Sequence, residues 1–129
     1  MLDALVGKWK VIGCQLNGVW LPTSIFVEFR YSFFANDTFR LDWAELSFPQ
    51  YVGGFPKSKT GKVIFGKTDK PAEMDLIPDE GPFANKSLTG IFELDHDVLK
   101  AIFSFPGTER PKVFNTTQGQ VYEIWQRVD

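Results

Sequence analysis

The chain has 129 residues, a formal charge of −2, one cysteine and one histidine. That length suits a single domain over residues 1–129, and the missing basic excess argues against a nucleic-acid backbone as partner. Cys14 and His96, alone of their kinds, exclude an intrachain disulfide and any multi-cysteine or histidine-rich metal site, and an aromatic content of 16% excludes intrinsic disorder. In chain order, Gly7-Lys8-Trp9 lies on a first strand, with Gly13-Cys14 on or near it. Asn17-Gly18 is a turn signal, and the best short helix candidate is around Leu21 to Ser24. Ile25, Val27, Phe29, Tyr31 and Phe33 then fall on one face of an extended run, with Glu28, Arg30 and Ser32 on the other. Asn36-Asp37 turns the chain into Phe39, Leu41 and Trp43, which alternate with Arg40 and Asp42. Glu73 to Ile77 reads as a strand. Leu88, Gly90, Phe92 and Leu94 alternate with Thr89 and Glu93, and Ile91 breaks the pattern. Asp95-His96-Asp97 separates that run from Leu99, Ala101, Phe103 and Phe105. Eight to ten short strands with regular turns predict an all-β antiparallel sandwich or barrel.

The N-terminus has neither the basic start nor the apolar run of a secretory signal, so a cytoplasmic location is expected. No stretch approaches the ~18 apolar residues of a membrane-spanning helix, so no membrane partner is expected. Asn36, Asn85 and Asn115 open N-x-[ST] triplets, which read here as turn asparagines.

Most motifs that could carry chemistry have a plainer reading. Gly61 to Thr68 matches the phosphate-binding pattern G-x-x-x-x-G-K-[ST] letter for letter. Its middle is Val63-Ile64-Phe65, which is strand material, and Asp69-Lys70-Pro71 turns the chain instead of opening a helix. No nucleotide and no other cofactor is expected. Asp95-His96-Asp97 reads as a tight hairpin, and no second histidine exists to complete a zinc site. Cys14 reads as a small buried or half-buried hydrophobe. Asp75 and Arg110 form either a structural ion pair or a polar anchor for a ligand.

Gly7-x-Trp9 at the start and Arg127 near the end resemble the signature of lipocalin-like barrels. The resemblance implies that the Trp plugs the closed end and that the guanidinium stacks on its ring. Further blocks are similar to an uncharacterised family of small bacterial lipocalin-like domains. They are Leu5 to Val11, Asn17-Gly18, Lys70-Pro71 with Met74-Asp75-Leu76, Leu88 to Leu94, and Glu109-Arg110-Pro111 with Phe114. The stretch Glu45 to Lys59 departs from that family in length and aromatic content. The resemblance implies a single calycin-type barrel of about eight strands. It carries no activity, because function lives in sites and not in folds.

On this fold Trp9, Phe29, Tyr31, Phe33, Phe39, Trp43, Phe92, Phe103 and Phe105 are expected to point inward. They leave either a packed interior with a shallow cup or a ligand cavity. The cup is expected at the end away from Trp9, near Phe33, Trp43 and Phe105. Tyr31, Phe33, Trp43, Tyr51, Phe55, Phe105 and Arg110 are the candidate binding residues. The aromatic, Pro- and Gly-rich segment Phe48 to Phe55 is expected to flank it, and the Trp9 end is expected to offer no concavity. The leading expectation is a non-enzymatic binding module for a small apolar or aromatic ligand. The alternative is a protein-interaction module, such as an immunity or inhibitor protein. An enzyme is disfavoured, because no nucleophile–base pair and no cofactor motif survives inspection.

Overall fold

The computed structural model describes residues 2–26, 28–42, 58–68, 71–116 and 119–128, with Ser58 described by its backbone alone. Trp43, Tyr51, Phe55 and the rest of the Phe48–Phe55 segment lie outside the described residues. Among the described residues nine strands follow in order: β1 (Gly7–Leu16), β2 (Val19–Trp20), β3 (Arg30–Phe34), β4 (Thr38–Asp42), β5 (Ser58–Phe65), β6 (Ala72–Pro78), β7 (Leu88–Asp95), β8 (Val98–Ser104) and β9 (Gln120–Val128). A 3-10 turn (Asp3–Leu5) precedes them, and a one-turn helix, α1 (Thr23–Phe26), lies between β2 and β3. The sheet runs β1-β3-β4-β5-β6-β7-β8-β9 and returns to β1, so eight strands close a barrel and β2 is an extra strand on β1. Of the antiparallel sandwich or barrel expected from period and turns, the barrel, which the resemblance implied, is the observed architecture.

The turns follow from residue chemistry. Asn17 and Gly18 both have positive φ, 50° and 85°, which is the primed turn that matches strand twist. Asp37 and His96 sit at φ 64° and 55° in the β3–β4 and β7–β8 turns. His96 is thus a hairpin residue, bonded through Nδ1 to Asp95 Oδ1 at 2.7 Å. Gly61 to Phe65 lie on β5 and pair with Pro78 to Met74 of β6. The phosphate-loop spelling is therefore a strand whose backbone N–H groups belong to a ladder. A Cβ on Gly61 would stand 2.6 Å from the Phe39 ring, so that glycine is a packing requirement.

The run read as one strand from Ile25 to Phe33 is divided. Ile25 N–H donates to Pro22 O at 3.0 Å and Phe29 N–H to Phe26 O at 2.9 Å, so the chain turns through α1 before β3 begins at Arg30. Ile25 is exposed and Phe26 buried, the reverse of the period-2 assignment. A β-bulge between Val11 and Gly13 shifts the β1–β9 register. It turns Ile12 outward and lets both Val11 and Cys14 face the interior.

One end of the barrel is closed by its own chain. Trp9 is fully buried, and its Nε1–H donates to Leu5 O at 3.0 Å. The Arg127 guanidinium lies 4.3 Å from the Trp9 ring centroid. It donates to the carbonyls of Val6 and Ala4 and pairs with Asp97. Gly7 has φ 131°, and a Cβ there would stand 3.1 Å from Arg127 Nη1. The Gly-x-Trp spacing thus leaves room for the stacked guanidinium. Trp9→Ala should cost about 3–5 kcal/mol as a large-to-small core change. Urea unfolding measures it, and a cost below about 1 kcal/mol would show that the closure does not hold the barrel.

Candidate functional site

The middle of the barrel is filled. The Trp125 ring lies 4.3 Å from Tyr31, 5.6 Å from Phe33 and 6.3 Å from Phe103, centroid to centroid. Beside this cluster sits a buried carboxylate. β9 turns Val121, Glu123 and Trp125 toward the interior, and Glu123 accepts from Trp125 Nε1–H at 2.8 Å. The Tyr31 hydroxyl is its second donor. Cys14, brought inward by the bulge, is the Cα partner of Glu123 across β1–β9. Burial pushes the Glu123 carboxyl above the ordinary carboxylate range, against the two hydrogen bonds that favour its charge. Burial first, and Glu123 second, raise the Cys14 thiol to about 12. Cys14 is therefore a thiol at neutral pH and no nucleophile.

A second polar assembly sits on the outer wall. Arg110 makes a bidentate pair with Asp75, Nη1–Oδ1 2.6 Å and Nη2–Oδ2 3.1 Å. It also donates to Gly90 O at 2.9 Å and lies 3.7 Å from Glu73. The segment carrying it covers the outer face of β7 and β8. Ser104, fully buried, donates to Glu109 O at 2.5 Å. Ile91 and Ile102, cross-strand partners, are buried beneath this segment rather than in the barrel. That is why Ile91 breaks the alternation: both faces of β7 are covered.

A concavity lies on the same side. It is a half-open cleft of about 680 Å³, lined by Leu2, Pro71, Ala72, Phe92, Leu94, Val113 and Phe114, with Thr68, Glu93 and Lys112 as polar groups. A smaller groove of about 280 Å³ adjoins it through Pro71 and Lys112 and adds Lys67, Glu73, Ile91, Arg110 and Pro111. Ala72 begins β6 and Leu94 lies near the end of β7, so this cleft opens at the Trp9 end. The expectation that this end offers no concavity is overturned. The Trp9–Arg127 closure covers the β1–β9 side of the rim. The β6–β7 side is left to Leu2 and to Ala72, whose side chain is too small to fill it.

The four described candidates named from sequence, Tyr31, Phe33, Phe105 and Arg110, do not converge; Trp43, Tyr51 and Phe55 lie outside the described residues. Tyr31 and Phe33 are buried in the aromatic cluster, and Phe33 pairs with Gly7 at the Trp9 end, not at the opposite rim. The cause is direction: β3 runs antiparallel to β1, so its last residues flank the first residues of β1. Phe105 lies beyond β8, half-buried at the opposite rim and stacked 5.5 Å from Phe83. Arg110 is on the outer wall, engaged by Asp75 and Gly90 O, which realises the ion-pair reading. Glu123 and Trp125 were missed. The signal was there, since placing Arg127 on the face of Trp9 puts Trp125 and Glu123 on that face too.

The buried Glu123 carboxyl makes stability depend on pH. In an unfolded chain a glutamate titrates near ~4.3, and in the fold it titrates higher. Below the lower value both states are protonated and the burial costs little. As pH rises between the two values the unfolded state releases its proton first, and the fold loses stability. Cys14 and Tyr31, which face the carboxyl, titrate well above this range. Glu123→Gln should therefore gain stability relative to the parent between about pH 4 and about pH 7. Urea midpoints at the two pH values check this, and a difference independent of pH would contradict it.

No family model matches the chain, and no curated protein matches it. Among solved structures the chain is similar to the crystal structure of a DUF4847 family protein from Bacteroides vulgatus, at 12% identity and a TM-score of 0.50. The match covers 98% of this chain and 97% of that one. At that identity the likeness concerns the fold: a bacterial protein builds the same closed antiparallel barrel over nearly its whole length.

Proposed function

We propose that this chain is a lipocalin-like, non-enzymatic binding module for a small, largely apolar ligand. The observation that carries the reading is the 680 Å³ cleft, whose walls are mainly apolar with a few polar groups at its edge. That size and lining are those of small-molecule sites. The site is proposed at the β6–β7 side of the Trp9 end, since aromatic rings fill the middle of the barrel. The cleft is bounded on one side by the barrel wall and on the other by the segment that Arg110 fastens down. Binding rather than catalysis is favoured because the reactive groups are spent structurally: Cys14 as a buried thiol, Asp75 on Arg110, Glu123 on Trp125 and Tyr31.

A second reading, a protein-interaction module, draws on the surface around Trp20, which meets the cleft at Phe114. Trp20 is 54% exposed, with its ring 5.9 Å from Tyr122, and Phe114 lies 6.2 Å from the same Tyr122. Exposed aromatics in a group are the usual anchors of protein contacts. A partner recovered by cross-linking that is lost in Trp20→Ser and kept in Val113→Glu would favour this surface.

The test of the first reading uses a neutral apolar dye, N-phenyl-1-naphthylamine, whose fluorescence rises on entering an apolar site. Val113 lines the cleft and is 63% exposed, so Val113→Glu places a charge there without disturbing the core. The parent should bind the dye saturably, and Val113→Glu should weaken it by about tenfold or more. Absence of saturable binding, or equal affinity in the variant, would refute the site.

A further inference from the structure

The apolar cleft and the smaller groove share two walls, Pro71 and Lys112, so one ligand can occupy both. Their linings differ. The cleft presents Leu2, Ala72, Phe92 and Leu94 from its walls. The groove presents Lys67, Arg110 and Lys112 against one lining carboxylate, Glu73.

Among the described residues, the two acidic groups nearest the groove are already engaged. Asp75 is held bidentately by Arg110. Glu73 accepts from the Lys67 backbone N–H at 3.2 Å and lies 3.7 Å from Arg110 Nε. Glu93 lines the other compartment, where its cross-strand partner is Lys100. Among the described residues neither the Lys67 nor the Lys112 ammonium takes part in an ion pair. Arg110 offsets one of its two carboxylate neighbours, and the two lysines exceed the remaining one. The groove therefore carries surplus positive charge beside an apolar chamber.

Resting on the binding-module reading above, we propose that the ligand is a single-chain amphiphile with an anionic head. Its apolar chain lies against Ala72, Phe92 and Leu94, and its head sits between Lys67 and Lys112. Pro71 and Lys112 mark the junction. Lys112 lines both compartments, and a long cationic side chain suits that place, since its stem can lie on apolar surface while its ammonium reaches a polar head. Two lysines, rather than the fork of an arginine, suit a head held by charge more than by fixed geometry. The Arg110 fork is turned to Asp75, which fixes the wall of the groove instead.

The experiment displaces the dye from the full chain with three probes of one chain length: decanoate, decanol and decyltrimethylammonium. Decanoate should bind about tenfold tighter than decanol, and the cationic probe should bind more weakly than decanol. In Lys67→Gln with Lys112→Gln the decanoate-to-decanol ratio should fall to near one, and Lys67→Arg with Lys112→Arg should retain it. Decanol binding as tightly as decanoate, or a ratio that persists in the Gln pair, would overturn the anionic head while leaving the binding module standing. A dye that never binds would overturn both.

Discussion

The contact on which the rest depends is the stack of Arg127 on Trp9. It joins the last strand to the first across the seam of the barrel and, through Ala4 and Val6, fastens the N-terminal turn over the end. A cation over an indole is worth about 0.5–2 kcal/mol, which is modest. Its weight here comes from position: one guanidinium serves the ring, two backbone carbonyls and Asp97 at once. Gly7 makes this geometry available by having no side chain where the guanidinium lies.

The outer face of β7 and β8 is the other organising feature. Most strands of a barrel present water to their outer side, yet Ile91, Ile102 and Ser104 are buried there. The segment after β8 folds down over them and is fixed by Arg110 and by the Ser104 hydroxyl. This overlay supplies one wall of the cleft, through Lys112, Val113 and Phe114, and the rim residues Leu2, Ala72, Phe92 and Leu94 supply the other.

Legibility in the sequence follows the range of each interaction. Turns at Asn17-Gly18, Asn36-Asp37 and His96 were readable because their chemistry is local to one or two residues. Strands were readable from period-2 patterning, and Arg127 over Trp9 from a motif. Alternation alone could not reveal that the chain turns through α1 before β3 begins, because Ile25, Val27 and Phe29 continue the same rhythm as Tyr31 and Phe33. The bulge at Gly13 was hidden for a similar reason: one added residue changes which side chains face inward, and composition does not report it. Phe33 and Phe105 were assigned to one rim although strand direction sends them to opposite ends. The cleft was invisible because it needs a segment far along the chain, Arg110 to Phe114, to lie against Ala72 and Phe92.

The β1–β9 seam also has a bearing on how the chain reaches this state. Every other barrel pairing joins neighbours in the order of the strands, whereas the seam joins residues such as Lys8 and Val128. Until β9 arrives, β1 and β8 present two open edges, each with unpaired backbone groups able to recruit another chain. Pairings of such long sequence separation form late and slowly. The interval before closure is therefore the stage at which this protein is most exposed to aggregation. A residue that strengthens so late a contact slows the reopening of those edges as well as adding to final stability.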